Sequence, residues 1–188
     1  MRSDGHCMKV IRTEIPEVLI FEPEVIADQR GFVLETFQTE RYAAYGIGLS
    51  VQDNFSRSRR GVLRGLHLQN PRPQGKLLTA VQGEVLDVVV DVRLGSPTFG
   101  RHVSVELGNL RQLWIPRGFA HGFVVASETA DLFYRCDELY SPDDEILVRW
   151  NDPAIGIDWR CEAPILSPRD ANAPLLSGAS RLPVYGEV

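Results

Sequence analysis

Alternation of apolar and polar residues at a spacing of two runs through most of this chain. Leu86, Val88, Val90 and Val92 fall on one face of the stretch Glu84–Arg93, after a Gln82-Gly83 turn. Val103, Val105 and Leu107 alternate with His102, Ser104 and Glu106 between Gly100 and Gly108-Asn109. Leu113 and Ile115 lead to Pro116, and Ile146, Val148 and Trp150 lead to Asn151-Asp152-Pro153. Period two with Gly, Pro, Asn and Asp as punctuation predicts strands joined by turns. Helical turns are expected at Thr39–Tyr45 (TERYAAY) and where Ser167-Pro168 opens SPRDANAPLL. Serine is a good N-cap there and proline a good first helical residue. Many short strands with few helices predict an all-β sandwich or barrel.

Length and composition narrow the function classes. A chain of 188 residues fits one domain with a proper core. Its 44% hydrophobic and 24% charged residues are those of a folded protein rather than a disordered one. A net charge of -5 argues against a general nucleic-acid binder, which needs surplus Lys and Arg to neutralise phosphates. A phosphorylated small molecule needs only a few local arginines. The apolar runs are far short of a membrane span. Cys7, Cys136 and Cys161 are odd in number and outside any CxxC pattern, which suits free thiols in the cytoplasm. The opening MRSDGHC lacks the apolar core of a secretory signal. Met8 reads as a natural beginning, so Met1–Cys7, His6 included, is expected to be a leader or alternative start, and residues 8–188 a single domain.

Reactive side chains gather in a few places. In RGLHLQNPRPQGK, His67 and Gln69 are two apart, so a regular strand puts them on one face with Leu63 and Gly65. Lys76 opens the following run, after a turn with Pro71 and Pro73, and can return close to His67. A lone strand histidine is usually a rim residue, but here polar residues cluster in a strand with apolar neighbours. In LWIPRGFAHGF, Pro116 and Gly118 shape a tight turn that sets His121 at the start of a strand; it reads equally as a site imidazole or a core histidine bonded to backbone. Tyr134, followed by Tyr140, reads first as sheet packing. Asp170 reads first as an acidic residue favouring a helix N-terminus. A catalytic metal is disfavoured: zinc and iron sites want three or four protein ligands, and beyond His67 and His121 the nearby positions offer Gln69, Gln74 and a cationic Lys76. No GxSxG, GxGxxG or P-loop pattern is present.

Several stretches, taken in order, resemble the dTDP-4-dehydrorhamnose 3,5-epimerase family. They are FEPEVIADQRGFVLETF, VQDNFSRSRRGVLRGLHLQ, QGKLLTAVQGEVLDVVVDVRLGSPTFG, LWIPRGFAHGFVV, the Tyr134 and Tyr140 pair, WNDPAIGIDW and LSPRD, from about Met8 to Leu176. The resemblance implies a cupin-type jelly roll, in agreement with the alternation. PRGFAH keeps a cupin-like PxGxxH, while the His-x-His of metal cupins stands here as His67-Leu68-Gln69, so the resemblance implies a site with no metal and no cofactor.

By the same resemblance the chain inverts C3 and C5 of dTDP-4-dehydro-6-deoxy-D-glucose through an enolate. His67 is then the base and Asp170 its partner, fixing the ring tautomer and favouring the imidazolium. Lys76 faces the C4 oxygen, a donor whose loss typically costs on the order of 3–4 kcal/mol of transition-state stabilisation. Tyr134 is the acid on the opposite face, as inversion requires. Substrate binding carries over to Arg30, Phe32, Glu35, Gln52, Asn54, Arg64, His121 and Tyr140, with arginines and amides suited to the diphosphate and nucleotide edge. Family members are homodimers in which an N-terminal segment reaches the neighbour's site, so Arg30 and Glu35 are expected to serve a partner subunit. One tension follows: strict alternation sets Arg64 on the face opposite His67, and a bulge at Gly65 is the expected remedy.

The nearest alternative inverts a single carbon or isomerises the keto group by the same chemistry. A noncatalytic nucleotide-sugar-binding cupin comes next and a metal-dependent cupin oxygenase third.

Overall fold

The alternating runs become strands in the computed structural model, which describes residues 8–188; the expected leader Met1–Cys7 lies outside the described residues. In chain order the strands are Lys9–Arg12 (β1), Leu19–Glu22 (β2), Val25–Asp28 (β3), Gly31–Leu34 (β4), Gln52–Arg59 (β5), Leu63–Gln69 (β6) and Lys76–Gln82 (β7). Then come Val85–Asp91 (β8), His102–Leu107 (β9), Gln112–Ile115 (β10), Phe119–Val125 (β11), Thr129–Cys136 (β12) and Glu145–Leu147 (β13). Two short helices, Thr39–Ala43 (α1) and Pro168–Ala171 (α2), fall where the sequence expects helical turns. No helix among the described residues is long and apolar enough to cross a membrane.

The strands form a six-stranded sheet in the order β1-β2-β10-β7-β12-β5 and a five-stranded sheet in the order β13-β6-β11-β8-β9. From β5 to β8, and again from β10 to β13, the chain passes from one sheet to the other at each strand. This is the jelly-roll sandwich of the cupin type. Residues from the inner faces meet between the sheets: Leu78, Ala80, Leu113 and Leu132 on one side, Val85, Val89, Leu107 and Phe123 on the other. Each such buried side chain contributes about 1.5–3 kcal/mol, so this layer dominates stability.

Each sheet also has an apolar outer face that needs a cover. Leu86, Val88, Val90 and Val92, expected on one face, do share one, beneath Ile155, Trp159 and Leu176 of the C-terminal segment. Trp159 donates its indole N–H to the Trp150 carbonyl at 2.7 Å, and buried Asp152 accepts from the Leu176 N–H at 2.6 Å, which ties that segment down. On the other sheet, Leu19, Phe21, Leu77 and Trp114 lie under Tyr42 of α1. The Tyr42 hydroxyl donates to Gln112 Oε1 at 2.6 Å, and burial pushes its pKa up to about 12. Strands β3 and β4 form a separate two-stranded hairpin with Val25, Ile26, Phe32 and Val33 exposed.

Candidate active site

Strand β6 carries both core and reactive residues because it changes face partway along. It pairs with β11 at His67↔His121 and at Arg64↔Phe123, so three steps on β6 face two on β11. The extra residue is a bulge at Gly65, whose φ is +134°. A Cβ there would lie 2.5 Å from the Gly122 Cα, so the backbones approach too closely for any side chain. Simple alternation puts Leu63 on the His67 face and Arg64 on the other; the bulge reverses both assignments. Leu63 packs with Leu66 and Leu68 in the outer cluster. Arg64 lines the same cavity as His67 and donates from Nε and Nη2 to Ser58 Oγ, each at 3.2 Å.

That cavity, of about 250 Å³, lies at one end of the sandwich between the two sheets. His67 and His121 come from the five-stranded sheet, Lys76 and Tyr134 from the six-stranded one, and Asp170 and Arg169 from α2. Leu78, Phe123 and Leu147 supply apolar wall. The four expected catalytic residues are therefore brought together, with His67 and Tyr134 on facing sheets.

Asp170 arrives from a hundred residues away because the chain before α2 is stitched to β6. Ile165 donates to the Gly61 carbonyl at 2.8 Å and accepts from the Leu63 N–H at 3.0 Å. A four-residue helix does not stand alone. Here Ser167 caps it, its Oγ accepting from the Asp170 N–H at 3.1 Å and donating to Asp170 Oδ2 at 2.9 Å. The other oxygen, Oδ1, lies 2.6 Å from His67 Nε2. Burial raises the pKa of the Asp170 carboxyl, but the bonds to His67 and Ser167 outweigh it and the net shift is downward. Asp170 is thus a firm anion behind a half-exposed imidazole.

His121 makes a second such pair. Its Nε2 lies 2.9 and 3.1 Å from the two oxygens of Asp87, which is fully buried. Burial pushes the Asp87 carboxyl above the usual range, with His121 and Lys76 only partly opposing it. Burial likewise lowers the Lys76 pKa, against the pull of Cys136, Glu145 and Asp87. The Tyr134 phenol is raised, by burial first and by the Cys136 thiol next, and so keeps its proton at neutral pH.

An adjoining cavity, also of about 250 Å³, shares His67, Lys76 and Tyr134 and adds Gln52, Asn54, Gln69, Gln74, Tyr140 and Glu145. Gln52 Oε1 accepts from the Tyr140 N–H at 2.8 Å. Gln69 donates to the carbonyls of Arg72 and Leu139 and accepts from the Ser141 N–H; Gln74 donates to the Glu138 carbonyl. These amides satisfy the backbone of the loop that carries Tyr140. Glu145 accepts from Tyr140 Oη at 3.2 Å and pairs with Arg169. Asp87, Glu145, Ser167 and Arg169 are the site residues that sequence reasoning passed over. Arg169 adjoins the expected Asp170 in LSPRD, whereas nothing local marks Asp87 among its valines.

Arg30, Phe32 and Glu35 line neither cavity. They sit on or just after the exposed hairpin, where Arg30 pairs with Asp28 and Glu35 with Arg41 at 2.6 Å. Phe32 is 61% exposed. Among the described residues no group of three His, Cys, Asp or Glu side chains is placed to hold a metal ion.

Comparison with known proteins points the same way as the geometry. The family model described as dTDP-4-dehydrorhamnose 3,5-epimerase matches residues 12–178. A dTDP-4-dehydrorhamnose 3,5-epimerase from Shigella flexneri is 52% identical over 88% of this chain and 94% of its own length. One from Pseudomonas aeruginosa is 49% identical over 94% of this chain and 100% of its own. The crystal structure of a dTDP-6-deoxy-D-glucose-3,5-epimerase from Legionella pneumophila, in complex with dTDP-4-keto-L-rhamnose, superposes with a TM-score of 0.93 at 51% identity, covering 95% of this chain and 99% of that one.

Proposed function

The chain belongs to the dTDP-4-dehydrorhamnose 3,5-epimerase family and is an isomerase of a dTDP-sugar, and on that premise we propose that His67, Asp170, Lys76 and Tyr134 invert C3 and C5 of dTDP-4-dehydro-6-deoxy-D-glucose without a metal. The observation that carries this reading is the 2.6 Å bond between His67 Nε2 and Asp170 Oδ1 at the wall of a cavity shared with Lys76 and Tyr134.

A hydrogen beside a ketone becomes acidic only when the resulting enolate oxygen is stabilised. With Nε2 held by Asp170, Nδ1 is the nitrogen left to take the proton from carbon. The electron pair of the broken C–H bond moves into the enolate, and its negative charge on O4 meets the Lys76 ammonium. Tyr134 then donates its phenolic proton to the same carbon from the other side. Opposed placement of His67 and Tyr134 on facing sheets supports inversion rather than return of the original configuration. The depressed Asp170 carboxyl supports a partner that stays anionic while His67 becomes an imidazolium. Gln52, Asn54, Arg64, His121 and Tyr140 are assigned to the substrate, with Tyr140 offering a ring face to the nucleotide half.

Arg30, Phe32 and Glu35 are assigned to a second subunit's site within a homodimer. The exposed apolar hairpin supports this, since Phe32 and Val33 are each more than half exposed in the single chain. Cytoplasmic location is supported by the free thiols of Cys136 and Cys161.

The test is incubation with dTDP-4-dehydro-6-deoxy-D-glucose in deuterium oxide, followed by NMR. Deuterium at both C3 and C5 is expected. Deuterium at one carbon alone makes the chain a single-carbon epimerase, and none at either carbon sinks the enolate mechanism.

A further inference from the structure

The site contains one carboxyl that the mechanism above leaves unused. Asp87 projects from β8 into the space between the sheets, is 0% exposed, and has one hydrogen-bonding partner for both its oxygens, His121 Nε2. The other groups facing Lys76 are already engaged. From β13, Glu145 pairs with Arg169 and accepts from Tyr140. From α2, Asp170 is taken by His67 and Ser167. From β12 come the Tyr134 phenol and the Cys136 thiol, both kept protonated chiefly by burial. From β6 and β11 come His67 and His121, and the register partner on β10 is the apolar Ile115.

We propose that Asp87 is a positioning residue of this site: its negative charge keeps Lys76 an ammonium ready for the enolate oxygen, and its carboxylate fixes the His121 tautomer. An anionic acceptor at Nε2 requires the proton on Nε2, so Nδ1 of His121 is left as an acceptor. The electrostatics agree with the geometry. Burial pulls the Lys76 pKa down and Asp87 opposes it; burial pushes the Asp87 pKa up, and His121 and Lys76 oppose that. The coupling therefore runs both ways. It rests on the reading of Lys76 as the partner of the C4 oxygen.

Asp87→Asn keeps the shape and a carbonyl acceptor but removes the charge. Without that charge Lys76 loses its proton more readily, so the alkaline limb of the pH profile of kcat/KM moves toward neutral by about one pH unit. A purely structural role lowers activity equally at every pH; a limb that stays in place overturns the proposal. A second measurement does not depend on that variant folding. In Lys76→Met, ¹³C-carboxyl NMR should show the Asp87 titration rising by about one pH unit relative to the unsubstituted protein. An unchanged titration overturns the coupling. Because this second test needs no turnover, failure of the coupling is distinguishable from failure of Lys76 as the enolate partner.

Discussion

His67–Asp170 and His121–Asp87 are the same chemical pair built twice, a few ångströms of strand apart, and their surroundings send them in opposite directions. His67 and His121 are register partners across β6 and β11. Asp170 comes from a capped helix turn with a serine donor on its second oxygen, and its carboxyl is held below the usual value of 3.8. Asp87 comes from mid-strand, with no donor but the ring, and its carboxyl is raised above that value. Burial raises both; only Asp170 has enough hydrogen bonds to reverse it. A carboxyl meant to back an imidazolium needs those bonds, whereas one meant to hold charge inside a sandwich can do without them.

The largest effect expected on this contrast comes from His67→Ala. Its turnover should fall by about 10²–10⁴-fold, with loss of hydrogen exchange at the sugar carbons. If exchange survives in His67→Ala but dies in His121→Ala, the two pairs have the opposite roles. Stability should sort them in the reverse order. Asp87→Ala leaves the buried His121 ring unpartnered and should cost about 1–3 kcal/mol in urea unfolding. Asp170→Ala should cost less, because the half-exposed His67 ring can turn to water.

The pH dependence of folding should have opposite signs at the two carboxyls. Asp170, depressed in the folded protein, contributes stability that is present above pH 3.8 and is lost as pH falls through its folded value. Asp87, raised in the folded protein, holds its proton more tightly than the unfolded chain does, so stability falls as pH rises from 3.8 through its folded value. Each slope is at most about 1.4 kcal/mol per pH unit, the worth of one proton. Urea midpoints of Asp170→Asn and Asp87→Asn across acid pH should therefore diverge from the unsubstituted chain on opposite sides of 3.8; shifts in the same window would erase the contrast.

Ser167→Ala should be the mildest change. Loss of the cap costs about 1 kcal/mol, confined to α2. It also removes a donor from Asp170, so hydrogen exchange in α2 should quicken while the His121–Asp87 pair is untouched. Equal exchange in both proteins would mean that tertiary packing, not the cap, holds Asp170 in place.

Much of this was legible from residues. Alternation marked β8, β9 and β10 with their inner and outer faces, and Ser167-Pro168 marked the start of α2. His67 was noticeable because it sits among polar residues in a strand that ought to be apolar. The fault lay at Leu63 and Arg64, where a period-two reading assigns the wrong face to each. A bulge adds one residue to one strand, and Gly65 warns that it can occur without saying which side chains it turns. Asp87 was invisible for a different reason: LDVVVD reads as a buried strand, and a lone acid within it acquires meaning only from the ring opposite. Gln69 and Gln74, which looked like site chemistry, spend their hydrogen bonds on the Tyr140 loop.

What the linear chain determined was the set of strands, their apolar faces and the residue types able to do acid–base work, since those depend on neighbours one to four positions away. Which carboxyl meets which histidine was decided by the fold alone. Asp170 reaches His67 only because the C-terminal segment must cover the outer face of the five-stranded sheet, and Asp87 reaches His121 only because β8 and β11 are neighbours in it. Identical pairs thus acquire opposite charge tendencies because desolvation and donor supply are properties of a place in three dimensions, and no sequence spacing encodes them.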